Sequence, residues 1–226
     1  MDFKAGEIFA IDKPYRISSF GALAHVRYVL SRTLGYKVKI GHAGTLDPLA
    51  TGVLILCTGK ATKRIEEFQG QTKEYTATLQ LGATTASYDM EHEVNASFPT
   101  EHITRELIND TMPQFIGDIE QIPPTYSAVK VNGDRAYELR RAGEEVKLKP
   151  KHIHIDEIEV VDFDVEKMQL SLRVVCGKGT YIRALARDLG RALNSGAYLT
   201  ALRRTRVGDF TIDRCLDYEH IREWIE

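Results

Sequence analysis

The sequence predicts an α+β fold with a mixed, largely antiparallel sheet. Three observations carry this expectation. Segments of strand-like pattern recur from one end of the chain to the other. Two long ones, residues 153–165 and 168–175, follow one another across a turn at Glu166-Lys167 and so pair antiparallel. The helical stretches do not alternate regularly with strands, as a parallel sheet built from crossover units would require.

In chain order, residues 7–11 form a short strand ending at Asp12-Lys13-Pro14. Ser18 and Ser19 are suited to cap a helix over residues 20–34, with Leu23, Val26 and Leu30 on one face. Val38-Lys39-Ile40 and Val53-Leu54-Ile55-Leu56 are strands flanking an irregular loop. Thr58-Gly59 opens a short helix to residue 68, and residues 73–82 alternate as a half-buried strand. Residues 83–99 show no period and read as irregular. Thr100 or Thr104 starts an amphipathic helix to about residue 115. Short extended pieces surround Pro123-Pro124, and residues 134–141 form a short helix. After the long strand pair come a helix over 179–193, strands over 198–204 and 209–212, and a last helix from about residue 217. No repeat or long linker interrupts this order, so one domain over residues 1–226 is expected.

Composition excludes several classes. No apolar run approaches the roughly 20 residues of a membrane span, and the N-terminus has acidic residues and no apolar signal core. Cys57, Cys176 and Cys215 are odd in number, far apart and without Cys-x-x-Cys spacing, which favours a reducing cytoplasm and argues against a zinc site. The pair His152-x-His154 lacks a third ligand nearby and reads as a strand face. Neither phosphate-cradling glycine motif nor a Gly-x-Ser-x-Gly elbow is present. Net charge is only −2, but basic residues concentrate between 173 and 206 as Arg173, Lys178, Arg183, Arg187, Arg191, Arg203, Arg204 and Arg206, against the single acid Asp188. Such a stripe fits a polyanion footprint as well as an ordinary solvated helix face.

The loop between the two early strands is the densest in chemistry: Gly41-His42-Ala43-Gly44-Thr45-Leu46-Asp47-Pro48-Leu49-Ala50-Thr51-Gly52. Pro48 biases Asp47 away from helical backbone and holds it in an extended turn. Asp-Pro and Gly-Thr pairs also initiate ordinary turns. Two further segments place unusual polar residues at element ends: Lys73-Glu74-Tyr75 at a strand start, and Gly177-Lys178-Gly179-Thr180-Tyr181-Ile182-Arg183 entering a helix. An ionised carboxylate serves as nucleophile or general base without tuning, and if buried it needs a cation such as Arg183. A carboxylate, a fixing arginine and a tyrosine suit chemistry at a sugar anomeric carbon or an electrophilic base ring.

The Asp47 loop resembles the catalytic motif of the TruB family of tRNA pseudouridine synthases. Further segments agree in the family's order. Ile11-Asp12-Lys13-Pro14 with Ser18-Ser19 resembles the N-terminal motif, and Lys73-Glu74-Tyr75 the tyrosine motif. Ile122-Pro123-Pro124-Thr125-Tyr126-Ser127-Ala128-Val129-Lys130-Val131-Asn132-Gly133 with Ala136-Tyr137-Glu138 resembles an RNA-gripping insertion. Gly179-Thr180-Tyr181-Ile182-Arg183 resembles the arginine motif, and Leu202-Arg203-Arg204-Thr205 with Gly208-Asp209-Phe210 the closing segment.

The resemblance implies a pseudouridine-synthase-like catalytic domain with an RNA-gripping insertion at about residues 83–150, which isomerises one uridine in the T-loop of tRNA, at tRNA position 55, without metal or cofactor. It assigns Asp47 as the catalytic carboxylate, Tyr75 to stacking on the uracil and aiding proton removal from C5, and Arg183 to pairing with Asp47. Tyr181 and Leu202 fall at substrate-contacting positions, His42 at one that contacts RNA and fills the flipped nucleotide's space, and Lys13 at one that contacts phosphate or shapes the pocket. The implied partner is the tRNA T-arm, with no membrane and no protein partner, and the protein is expected as a cytoplasmic monomer. Many family members continue into a small RNA-binding PUA domain; the residues after Phe210 are too few for one, so a short form without it is expected. A tRNA-folding chaperone with little or no catalysis is the alternative use of the same RNA-binding features.

Overall fold

A computed structural model describes residues 1–127, 129–131 and 133–225. Ala128 and Asn132 of the expected insertion motif lie outside the described residues. The elements are β1 (Ile8–Lys13), α1 (Ser19–Leu34), β2 (Ile40–Ala43), β3 (Ala50–Thr58), a 3-10 turn (Gly59–Arg64), α2 (Ile65–Gly70) and β4 (Lys73–Leu81). There follow β5 (Ala83–Thr85), β6 (Val94–Ser97), α3 (Arg105–Thr111), a 3-10 turn (Met112–Phe115), β7 (Gly117–Gln121), β8 (Lys130–Val131), β9 (Asp134–Arg135) and α4 (Ala136–Arg141). The chain closes with β10 (Lys151–Asp164), β11 (Gln169–Cys176), α5 (Ile182–Ala192), β12 (Ala197–Val207), β13 (Phe210–Thr211), a 3-10 turn (Ile212–Arg214) and α6 (Ile221–Ile225). It divides into two compact units, Met1–Thr76 with Leu202–Glu226, and Ala77–Ala201, to both of which β4 and β12 contribute residues.

In the first unit β3 is central. It pairs antiparallel with β1, from Ile8↔Cys57 to Lys13↔Gly52, and with β2, from Ile40↔Thr58 to Ala43↔Ile55. It pairs parallel with β12, from Leu202↔Ala50 to Arg204↔Gly52. Strand alternation sorts the side chains into two cores. Phe9, Ile11, Leu54 and Leu56 face Ala22, Leu23, Val26 and Leu30 of α1, together with Tyr218 and Ile221. Ala10, Val53, Ile55 and Cys57 pack with Phe68 and Val207 on the other side. Coverage on both faces explains why β3 reads as an unbroken apolar run. The α1 boundaries match their signals: Ser18 accepts from the Gly21 N–H as the N-cap, and Gly35 ends the helix at φ +72°.

In the second unit β10 pairs antiparallel with β11, as the long-hairpin expectation requires, and on its other edge with β7. His152 and His154 stand opposite Glu120 and Asp118 on β7. The His154 Nδ1 lies 2.7 Å from Asp118, and this hydrogen bond raises its pKa. Several expectations differ from the structure: β2 and β3 take residues 41–43 and 50–52 from the expected loop, and the last helix starts at Ile221 and not at about residue 217. Residues 83–99 contain a hairpin, β5–β6, whose exposed Val94, Asn95 and Ser97 give it no apolar alternation to read. The helix expected from residue 179 starts at Ile182, because Gly179 adopts φ +90°. Among the described residues no helix is long and apolar enough to cross a membrane.

Candidate active site

Asp47 sits between β2 and β3, half-buried, on a loop held from three sides. From the N-terminus of α1, the Ser19 hydroxyl accepts from the Leu46 N–H at 2.8 Å and donates to the Leu46 carbonyl at 2.9 Å. From the end of β1, the fully buried Lys13 ammonium donates to the carbonyls of Pro14, Ile17 and Pro48 at 2.8, 2.6 and 3.4 Å. From β12, the buried Arg204 donates to Val53 O at 2.8 Å and Gly44 O at 3.0 Å. The Ala50 N–H closes the turn onto the Asp47 carbonyl at 3.0 Å. The residues on both sides of Asp47 are thus tied to rigid elements, which limits where its carboxylate can point.

The charges here are coupled. Burial lowers the Lys13 pKa to about 8, with the nearby Asp47 partly opposing that fall and Arg204 adding to it. His42 on β2 is held below the ordinary imidazole range, first by burial and then by the Arg204 charge, so it is neutral at pH 7. Its Nδ1 is buried with no hydrogen-bond partner. Leu202 lies opposite Ala50 in the parallel β3–β12 register, and Tyr75 is on the buried face of β4. Asp47, His42, Lys13, Leu202 and Tyr75 therefore belong to the first unit.

Tyr181 and Arg183 belong to the second. Arg183, in the first turn of α5, is only 4% exposed. It donates to Ser87 O at 3.2 Å and Tyr126 O at 2.9 Å, with its Nε 3.7 Å from an Asp89 oxygen. Asp89 is itself held by the Ser87 hydroxyl at 2.5 Å and the Glu91 N–H at 2.9 Å. Tyr181 is fixed through its backbone by Gln121, which accepts from its N–H at 2.8 Å and donates to its carbonyl at 3.2 Å.

Sequence reasoning missed Ser87, Asp89 and Gln121, which carry no local signal, and it treated Ser19 only as a cap. The basic stripe needs correction as a phosphate-binding surface. Arg183, Arg187 and Arg204 are buried, because carbonyls and carboxylates of the fold satisfy them. Arg203 pairs with Asp12 at 2.7 Å and Arg173 with Glu157 at 2.9 Å. Of the eight, Lys178 and Arg191 are exposed.

Residues 31–182 match the family described as TruB family pseudouridylate synthase (N terminal domain), and residues 183–226 match the tRNA pseudouridylate synthase B C-terminal domain. A tRNA pseudouridine synthase B of Bacteroides thetaiotaomicron is 62% identical over 229 residues, covering 100% of this chain and 95% of the relative. One of Flavobacterium johnsoniae is 49% identical over 227 residues, covering 100% and 98%. Among solved structures, a chain in the crystal structure of a Cbf5-Nop10-Gar1 complex is similar with a TM-score of 0.72 and 28% identity, over 99% of this chain and 56% of that one. Matches to both domain models and high identity over the whole length lead to one conclusion: the chain belongs to the TruB family of pseudouridylate synthases.

Proposed function

We propose that this protein isomerises a uridine of tRNA to pseudouridine, acting at position 55 of the T-loop, with Asp47 as the catalytic carboxylate. In this reaction the N1–C1′ bond breaks, the uracil turns, and C5 bonds to C1′. C5 loses its proton and N1 gains one, so the product has the atoms of the substrate. The observation that carries the reading is the clamped Asp47 loop, in which Lys13, Ser19 and Arg204 hold the backbone around one half-buried carboxylate. Relatives named tRNA pseudouridine synthase B, matching over the full chain, support the substrate class.

Tyr75 stacks on the uracil and assists proton removal at C5, and Arg183 holds the Asp47 carboxylate. Tyr181 and Leu202 line the substrate. His42, whose Nδ1 has no partner, offers its neutral ring to the space the flipped base vacates. Extrusion costs roughly a few kcal/mol, which stacking on an aromatic ring offsets by about 1–3 kcal/mol per base. A groove of about 320 Å³ lined by Lys4, Tyr36, Lys37, Lys39, Lys60 and Lys63 supports a polyanionic partner. The whole chain acts as one catalytic domain, with residues 83–150 gripping the RNA, in the cytoplasm and as a monomer.

The test is incubation with unmodified tRNA followed by mapping of pseudouridine. One product in the T-loop is expected, lost in Asp47→Asn while tRNA binding persists. Absence of product from well-folded protein overturns the reading, and full activity in Asp47→Asn overturns the role of that residue.

A further inference from the structure

Between Asp12 and Asp47 the chain has no acidic residue, yet it carries Lys13, Arg16, Arg27, Arg32, Lys37 and Lys39. The same stretch exposes aromatic rings: Phe20 is 67% exposed, Tyr28 59% and Tyr15 44%. Tyr15 and Tyr28 each have an arginine against them. The Arg16 guanidinium lies 5.4 Å from the Tyr15 ring centroid, and Arg32 lies 6.0 Å from that of Tyr28 while donating to its hydroxyl at 2.7 Å. Helix α1 turns Ala22, Leu23, Val26 and Leu30 into the core, which leaves Phe20, Ala24, Arg27 and Tyr28 along the opposite side.

This surface adjoins the Asp47 loop through the contacts that hold the loop. Phe20 follows Ser19, whose hydroxyl binds Leu46. Tyr15 follows Pro14, whose carbonyl shares the Lys13 ammonium with that of Pro48. Arg16 between them adopts φ +64°, a conformation that disfavours any side chain and recurs at functional sites. Solvent-exposed rings beside arginines, with no carboxylate in the segment, form a surface for stacking any base and neutralising its phosphate. The face is poorly suited to an apolar protein partner, because Ala24 and Arg27, not large aliphatic residues, separate Phe20 from Tyr28.

We propose that Tyr15, Arg16 and Phe20 form a stacking platform at the rim of the Asp47 loop for unpaired bases of the RNA beside the target uridine. Tyr28 and Arg32 continue it along α1 for the adjoining strand. The inference rests on the proposed function for the identity of the RNA, and none of these residues was assigned a part in the reaction.

The test uses full-length protein carrying Asp47→Asn and an unmodified T-arm hairpin. Phe20→Trp preserves a stacking ring and adds a reporter to the chain's single native tryptophan, Trp224, which packs on Phe3 and Phe9 and supplies the baseline. The hairpin is expected to quench the new emission. Phe20→Ala and Tyr15→Ala are each expected to weaken hairpin binding about 5- to 150-fold, the range for loss of one stacked base, with circular dichroism unchanged because both side chains are exposed. Unquenched emission with unaltered affinity in both alanine variants overturns the platform, even where the Asp47 protein makes pseudouridine. Quenching with no pseudouridine from the Asp47 protein leaves the platform standing and overturns the proposed reaction. A change of oligomeric state in Phe20→Ala at unaltered hairpin affinity assigns the face to self-association and overturns the proposal.

Discussion

The Ser19 hydroxyl satisfies both the N–H and the carbonyl of Leu46, at 2.8 and 2.9 Å, across 27 positions of sequence. One buried side chain thereby serves as a two-sided backbone partner for the residue next to Asp47. Ser19→Ala leaves both Leu46 groups unsatisfied in a buried setting, at a cost of about 1–3 kcal/mol. Because α1 keeps its Ser18 cap, the damage is expected in the loop and not in the helix. Single-turnover pseudouridine formation should slow at least about tenfold while tRNA affinity changes little. Unimpaired turnover would show that the loop does not need this tie.

Asp89 faces Arg183 at 3.7 Å, and both are almost fully buried. Asp89→Asn keeps the shape and the Ser87 contact but removes the charge beside the guanidinium. Weakening a buried, charge-assisted contact is expected to cost about 1–3 kcal/mol in urea denaturation. If Arg183 holds the catalytic carboxylate, turnover falls by more than the same change at the exposed Asp118 produces. Equal activities for the Asp89 and Asp118 variants would remove Asp89 from the site.

What the sequence made legible was local. The Ser18 cap, the Leu23–Val26–Leu30 spacing and the alternation in β4 each act within a few residues, so α1 and β4 are found close to their expected bounds. The loop was legible as a loop because Pro48 and its glycines act on their own backbone. The clamps were not. Arg204 reaches Gly44 across 160 positions, and Lys13 reaches Pro48 across 35, distances over which side-chain identity carries no pairing information. The arginine stripe misled for the same reason: a run of charges gives no sign of which guanidiniums turn inward. Asp89 lay in a segment read as irregular, and only the fold gives it Arg183 as a partner.

Gly52 shows the same limit in one residue. Its φ is +105°, and a β-carbon there would lie 2.2 Å from the carbonyl oxygen and 2.8 Å from the nitrogen of Arg204. The β3–β12 parallel pair closes at this point, so Arg204 has no room to retreat. Gly52→Ala is expected to destabilise the protein by at least about 2 kcal/mol from backbone strain and overpacking together. It should also displace the Arg204 side chain from Gly44, lowering turnover beyond what the stability loss explains. Guanidinium denaturation alongside activity at a temperature where the variant is folded separates the two effects. A variant as stable as the parent would mean that β12 can shift away from β3.

Lys13 gives a pH dependence whose sign differs between stability and activity. Its ammonium has three N–H donors for three carbonyls, those of Pro14, Ile17 and Pro48. Burial lowers its pKa from 10.5 to about 8, so above that pH a neutral amine with two donors remains. The 3.4 Å bond to Pro48 is the longest and the first to be lost, which loosens the Asp47 loop. Turnover is therefore expected to fall above about pH 8. Stability moves the other way: between about 8 and 10.5 the unfolded chain keeps the proton that the folded chain has released, so this group's contribution rises with pH across that window. Lys13→Met should lose turnover at every pH and lose the Lys13-dependent rise in melting temperature above pH 8. Turnover that stays flat to pH 10, or the same stability profile in Lys13→Met, would remove this lysine as the loop's proton-dependent tie.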